Sequence, residues 1–123
     1  MPQKVILIID DDNRNIFALK AVLKAKGYEC LSAISARDGF SIIEERANIS
    51  VVLMDMMMPD MDGYQAMATM KKSPKMQNIP VLAVTAQAMV GDKERCLSAG
   101  AAGYVSKPIN VDELLEQIEE VTK

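Results

Sequence analysis

The chain has 123 residues, 50% of them hydrophobic and 25% charged, which is the composition of one globular domain over 1–123 and not of a disordered segment. A net charge of −3 without a clustered basic stripe argues against a nucleic-acid partner, and the longest apolar runs, Val5–Ile9 and residues 51–54, are too short to cross a membrane or to form an export signal. There is no histidine, which excludes imidazole catalysis, and the two cysteines, Cys30 and Cys96, lack CxxC spacing and read as free thiols of a reducing, cytoplasmic compartment.

The first apolar run, Val5–Ile9, is too short for a helix and rich in β-branched residues, as a strand buried on both faces should be. It ends in Asp10, Asp11 and Asp12. A helical pattern follows over 13–26, where Ile16, Leu19 and Leu23 recur at three- and four-residue spacing and Gly27 stands at the place of a left-handed C-cap. A weaker run, Glu29–Ala33, predicts the second strand. Ser35 with Asp38 then has capping-box spacing at the head of a helix over 36–46. The third run, 51–54, leads into Asp55 and a Pro-Asp-Met-Asp-Gly turn, with Asp60 and Asp62 as turn formers, and a helix over 64–72. The fourth run, 81–84, ends at Thr85 and the small Ala86, before a helix over 88–99 closed by Gly100. The fifth, Gly103–Ser106, ends at Lys107 and Pro108, and Asn110 with Glu113 opens a last helix, Val111–Val121.

Five strand–helix units in succession imply a parallel sheet with helices on both faces, whose ligands bind beyond the carboxyl ends of the strands. The residues at those ends are acidic (Asp10, Asp11 and Asp55), a hydroxyl (Thr85) and an ammonium (Lys107); the second run alone ends without a polar candidate. Clustered carboxylates suit a hard cation such as Mg²⁺. At an effective dielectric of ~20, two carboxylates ~5 Å apart repel by about 3 kcal/mol, which a divalent ion relieves. Lys107 and Thr85 offer a charge and a donor to phosphoryl oxygens, and a carboxylate so placed can attack phosphorus to form an acyl phosphate.

Four blocks carry a family resemblance: Val5-Ile-Leu-Ile-Ile-Asp-Asp-Asp12, Met54-Asp-Met-Met-Met-Pro-Asp-Met-Asp-Gly63, Val84-Thr-Ala86 and Gly103-Tyr-Val-Ser-Lys-Pro-Ile109. In order and spacing, over essentially the whole chain, they resemble response-regulator receiver domains. The resemblance implies an α/β, flavodoxin-like (βα)5 fold, a doubly wound parallel sheet of strand order 2-1-3-4-5. It implies that Asp55 is the phospho-acceptor and that Asp11 contacts Mg²⁺ directly, Asp10 largely through water, and Met57 by its backbone carbonyl; Mn²⁺ would substitute. By the same likeness Thr85 is the switch hydroxyl, beside Ala86, Lys107 is the phosphoryl-binding lysine with a cis bond to Pro108, and Tyr104 is the aromatic switch. Met57 and Gln87 occupy the two variable positions that tune dephosphorylation. The implied partners are a histidine kinase or a histidine phosphotransfer protein and a downstream target, for a monomer or a weak phosphorylation-dependent dimer. The stretch from Thr85 to Gly100, with Asn13 and Asn15, is similar to receivers of hybrid histidine kinases.

Blander roles stand beside these. Asp12 suits a helix start better than a metal site, Tyr104 could serve as a packed aromatic, and most of the ten methionines read as adaptable core filler, with Met57 or Met61 available to a docking surface. A phosphatase with an aspartyl nucleophile, of the haloacid-dehalogenase kind, needs a second acid two residues past the nucleophile, where this chain has Met57. A pseudo-receiver usually lacks the acceptor or the acidic pair, and both are intact. No glycine-rich loop follows the first strand, which disfavours dinucleotide binding, and no P-loop occurs.

Overall fold

Every residue of Val5–Ile9 is apolar and buried, and its side chains alternate between two cores. A computed structural model describes residues 3–46, 48–86 and 91–123. In chain order the elements are β1 (Val5–Ile9), α1 (Asn13–Ala25), β2 (Glu29–Ala33), α2 (Ala36–Glu45), β3 (Ile49–Asp55), α3 (Gly63–Lys71), β4 (Val81–Thr85), α4 (Asp92–Ser98), β5 (Gly103–Ser106) and α5 (Val111–Val121). The strands form one sheet in the order β2-β1-β3-β4-β5, and every pairing is parallel. This is the flavodoxin-like arrangement that the resemblance implied.

Ile6 and Ile8 of β1, with Val51 and Leu53 of β3, pack against Ile16, Leu19 and Leu23 of α1 and Leu114 and Ile118 of α5. On the other face Val5, Leu7 and Ile9 join Val52 and Met54, Ile43 of α2, Met67 and Met70 of α3 and Cys96 of α4. Among the described residues two helices thus cover one face and three the other, and each fully buried aliphatic side chain contributes ~2 kcal/mol of transfer free energy. Both cysteines are free and buried.

Boundaries differ from expectation where a polar residue takes part in main-chain pairing. β3 begins at Ile49, two residues before the apolar run, because Ile49 pairs with Val5 and the register then shifts by one residue. The residue passed over, Ser50, accepts the Val5 N–H through its hydroxyl at 3.1 Å. The ladders also run on to Asp55 and Thr85, since backbone pairing does not require an apolar side chain.

Helix ends follow their caps. Ser35 and Asn110 accept the N–H groups of Asp38 and Glu113 as their spacing predicted. Asp62, expected to be only a turn former, is the N-cap of α3: it accepts the Gln65 N–H at 2.9 Å while Gln65 accepts the Asp62 N–H at 3.0 Å, a full capping box. That box starts α3 one residue early, at Gly63, whose hypothetical Cβ would lie 2.8 Å from the Met56 Cα, so only glycine lets the helix start this close to the strand-end loop. Asp60 adopts φ 64°, a left-handed turn conformation that aspartate tolerates. The helix expected over 88–99 is α4, Asp92–Ser98, headed by Gly91; residues 88–90 lie outside the described residues.

Candidate functional site at the carboxyl edge of the sheet

Among the described residues, the buried polar or charged side chains are Asp10, Asp55 and Thr85. Burying a carboxylate costs free energy unless it is paired or hydrogen-bonded. All three sit at the carboxyl edge of the central strands β1, β3 and β4. The strands deliver them there because each apolar run ends at the same level of the sheet, with Asp55 paired to Val84 and Thr85 to Ser106.

Each carboxylate is held by its own loop. Asp10 accepts the Asp12 N–H through Oδ1 at 2.9 Å, and its Oδ2 accepts from the Asn15 side-chain amide on the first turn of α1. Asp12 is turned away, capping α1 by accepting the Arg14 N–H at 2.9 Å, as its helix-start role anticipated. Asp55 accepts the Met57 N–H through Oδ1 at 2.9 Å. The Asn15 contact was not expected from the sequence, although a side-chain amide on the first turn after an acidic strand end is the available signal.

Lys107 closes the cluster. Its Nζ lies 3.5 Å from Asp10 Oδ2 and 3.7 Å from Asp55 Oδ2, and its N–H donates to the Thr85 carbonyl at 2.8 Å, tying the end of β5 to the end of β4. The Lys107–Pro108 peptide bond is cis. Burial pushes the Asp55 carboxyl above its ordinary pKa; the Asp10 charge adds to this, while the Met57 N–H and Lys107 oppose it.

One carboxylate oxygen each from Asp10, Asp11 and Asp55 lie within 4.8 Å of one another. Asp11 is exposed at the mouth and the other two line the interior. Oxygen donors alone, one of them facing solvent, fit a hard divalent cation that keeps part of its water shell. Ala86 is exposed beside Thr85, and Met57 is 53% exposed. Tyr104 is partly buried against the α2–α3–α4 core, farther along the β5 edge, where burial first and then the charge of Asp92 raise its hydroxyl pKa. Gln87 lies outside the described residues.

Residues 6–119 match the response regulator receiver domain. The chain belongs to the receiver domain family. A relative from Brucella ovis, the polar-differentiation response regulator DivK, is 33% identical over 115 residues, 94% of this chain and 93% of that one. A CheY-like response regulator receiver domain protein of Methanospirillum hungatei is similar in structure, with a TM-score of 0.85 and 34% identity over 97% of this chain and 93% of that one. The signal receiver domain of a signal transduction histidine kinase from Syntrophus aciditrophicus gives a TM-score of 0.86 at 26% identity, covering 97% of this chain and 89% of that one. As a receiver domain, the chain takes part in phosphorylation-dependent two-component signalling with a histidine kinase or phosphotransfer protein and acts as a switch rather than a turnover enzyme. Receiver domains bind Mg²⁺ at an acidic pocket, and this chain carries an acidic cluster of Asp10, Asp11 and Asp55. Among the described residues, no helix is long and apolar enough to cross a membrane.

Proposed function

We propose that Asp55 accepts a phosphoryl group from a partner phosphohistidine and that the resulting acyl phosphate resets the surface formed by α4, β5 and α5. The observation that carries this is the placement of Asp55 between a second buried carboxylate, Asp10, and the ammonium of Lys107. A carboxylate oxygen of Asp55 attacks phosphorus as the phosphorus–nitrogen bond to the donor imidazole breaks. The bonding pair leaves with the ring nitrogen, which takes up a proton. Asp10, Asp11, Asp55 and the Met57 carbonyl would hold Mg²⁺, which when bound supplies positive charge to the phosphoryl oxygens.

The chain's own groups do the rest. Lys107, now sharing its charge between Asp10 and Asp55, turns to the phosphoryl oxygens as they arrive. The Met57 N–H, bonded to Asp55 Oδ1, keeps the carboxylate oriented so that its other oxygen is the nucleophile. Thr85 offers its hydroxyl to the phosphoryl group beside the small Ala86, and Tyr104 follows on the same edge of the sheet. The exposed thioether of Met57 borders the approach of water and, having no general-base function, leaves the acyl phosphate long-lived; Gln87 is the second residue placed to tune that lifetime.

Incubation with a small-molecule phosphodonor and Mg²⁺ tests the assignment. Intact mass should rise by one phosphoryl group that is lost in base and retained in acid. An Asp55→Asn variant that gains the same group would overturn it.

A further inference from the structure

Among the described residues β5 is an edge strand: it pairs with β4 on one side and with no strand on the other. Edge strands leave main-chain donors and acceptors open to pairing with another chain. Here one outward-facing pair belongs to Tyr104, and its N–H and C=O are both taken by one side chain. The Tyr104 N–H donates to Gln117 Oε1 at 3.0 Å, and Gln117 Nε2 donates to the Tyr104 carbonyl at 2.9 Å. The amide of Gln117 thus occupies the place of a neighbouring strand's peptide group.

Three features make this a built contact. Gln117 lies between Leu114 and Ile118 of α5, both 0% exposed, so the helix carrying it is locked to the sheet. Gly103 precedes Tyr104, and a Cβ there would run into the Gln117 side chain and lie 2.7 Å from Leu82 Cδ2, so the approach of Gln117 requires glycine at 103. A carboxamide is also the side-chain head that offers an acceptor and a donor side by side in peptide-like geometry; a carboxylate accepts only.

We propose that Gln117 is a positioning residue for Tyr104, clasping its backbone so that a change at Asp55 reaches the Tyr104 ring through side-chain rotation and is not dissipated by movement of the edge strand. This rests on the proposed function for the role of Tyr104, but the clasp itself does not. With N–H and C=O both anchored, rotation of the ring about its side-chain bonds is the soft coordinate left to Tyr104. The same clasp keeps the main-chain groups of Tyr104 from pairing with a strand of another chain.

The full chain, labelled for NMR with Mg²⁺ present, tests this with Gln117→Met, which keeps length and apolar bulk without the amide, and Gln117→Glu, which keeps only the acceptor. In the unsubstituted protein the Tyr104 amide should exchange slowly despite its outward-facing place on an edge strand. Gln117→Met should speed that exchange about ten-fold or more, as loss of a hydrogen bond does, while Val105 stays unchanged; Gln117→Glu should fall between. Adding beryllofluoride, an acyl-phosphate mimic, should shift the Tyr104 ring signals in the unsubstituted protein and shift them less in Gln117→Met at equal mimic occupancy. Fast exchange of Tyr104 before substitution, or an equal ring response in Gln117→Met, would overturn the positioning role alone. Ring signals that ignore bound mimic in the unsubstituted protein would instead sink the switch role of Tyr104, and the positioning role with it.

Discussion

The ammonium of Lys107 lies 3.5 Å from Oδ2 of Asp10, joining the loop after the last strand to the end of the first across 97 positions of sequence. The same ammonium is 3.7 Å from Asp55, so a single positive charge serves two buried carboxylates. That leaves the cluster with more negative than positive charge, since Asp11 stands at its mouth. The imbalance governs how the protein should respond to cations, protons and substitutions.

Mg²⁺ should stabilise the fold. At about one hundred times its dissociation constant the gain is ~2.7 kcal/mol, read as a rise in Tm by calorimetry or tyrosine absorbance. Asp11→Ala removes the exposed donor without emptying a buried position and should abolish most of that rise. An undiminished rise would show that the ion binds elsewhere.

Without divalent cations, stability should fall as pH rises through the titration of Asp55. Its folded-state pKa lies above the ordinary 3.8, so over that interval the folded protein holds more protons than the unfolded chain. The contribution is complete below 3.8 and is lost as pH climbs through the raised value. Urea unfolding in EDTA across the acid range measures it. Asp55→Asn should flatten this dependence and raise the midpoint at neutral pH, because a neutral amide relieves the repulsion from Asp10.

Met57→Asn should shorten the half-life of the phosphorylated protein several-fold by placing a polar group that can orient water where a thioether now stands. Decay of the phosphorylated mass after removal of donor gives the rate. An unchanged half-life would remove Met57 from the account of signal duration.

Asp62→Ala should cost about 1 kcal/mol in chemical unfolding, because it deletes the capping box at the head of α3. The strand-end carboxylates are held by other groups, so Mg²⁺ affinity should change much less than stability. A large loss of affinity would mean that the α3 start also sets the position of Asp55.

How much of this could be read beforehand depended on whether a residue's role was set by its neighbours in sequence. Asp10, Asp55 and Thr85 were legible because each follows a run of apolar residues, and such a step in polarity marks where a buried strand reaches solvent. The caps at Ser35 and Asn110 were legible for a similar reason: both partners lie within one helical turn. Asp62 and Gln65 had the same spacing but were hidden by the turn-like Pro-Asp-Met-Asp-Gly segment, which suits a loop as well as a cap. The start of β3 was hidden too, since the hydroxyl of Ser50 substitutes for a main-chain partner at the register shift.

The sequence by itself determined the alternation of strands and helices, the acidic and basic strand ends, and, through resemblance, the family and its sheet order. These are encoded in periodicity and in the polarity of a few adjacent residues. Only the tertiary structure decided that Asn15 braces Asp10, that Lys107 divides its charge between Asp10 and Asp55, and that Gln117 clasps Tyr104. Each of those contacts brings a side chain to a group outside its own element, so each depends on where packing against the two cores leaves α1, α5 and the loop after β5. Sequence spacing does not carry that information, because an amide or ammonium on an amphipathic helix or loop has many polar partners open to it until the hydrophobic faces have docked.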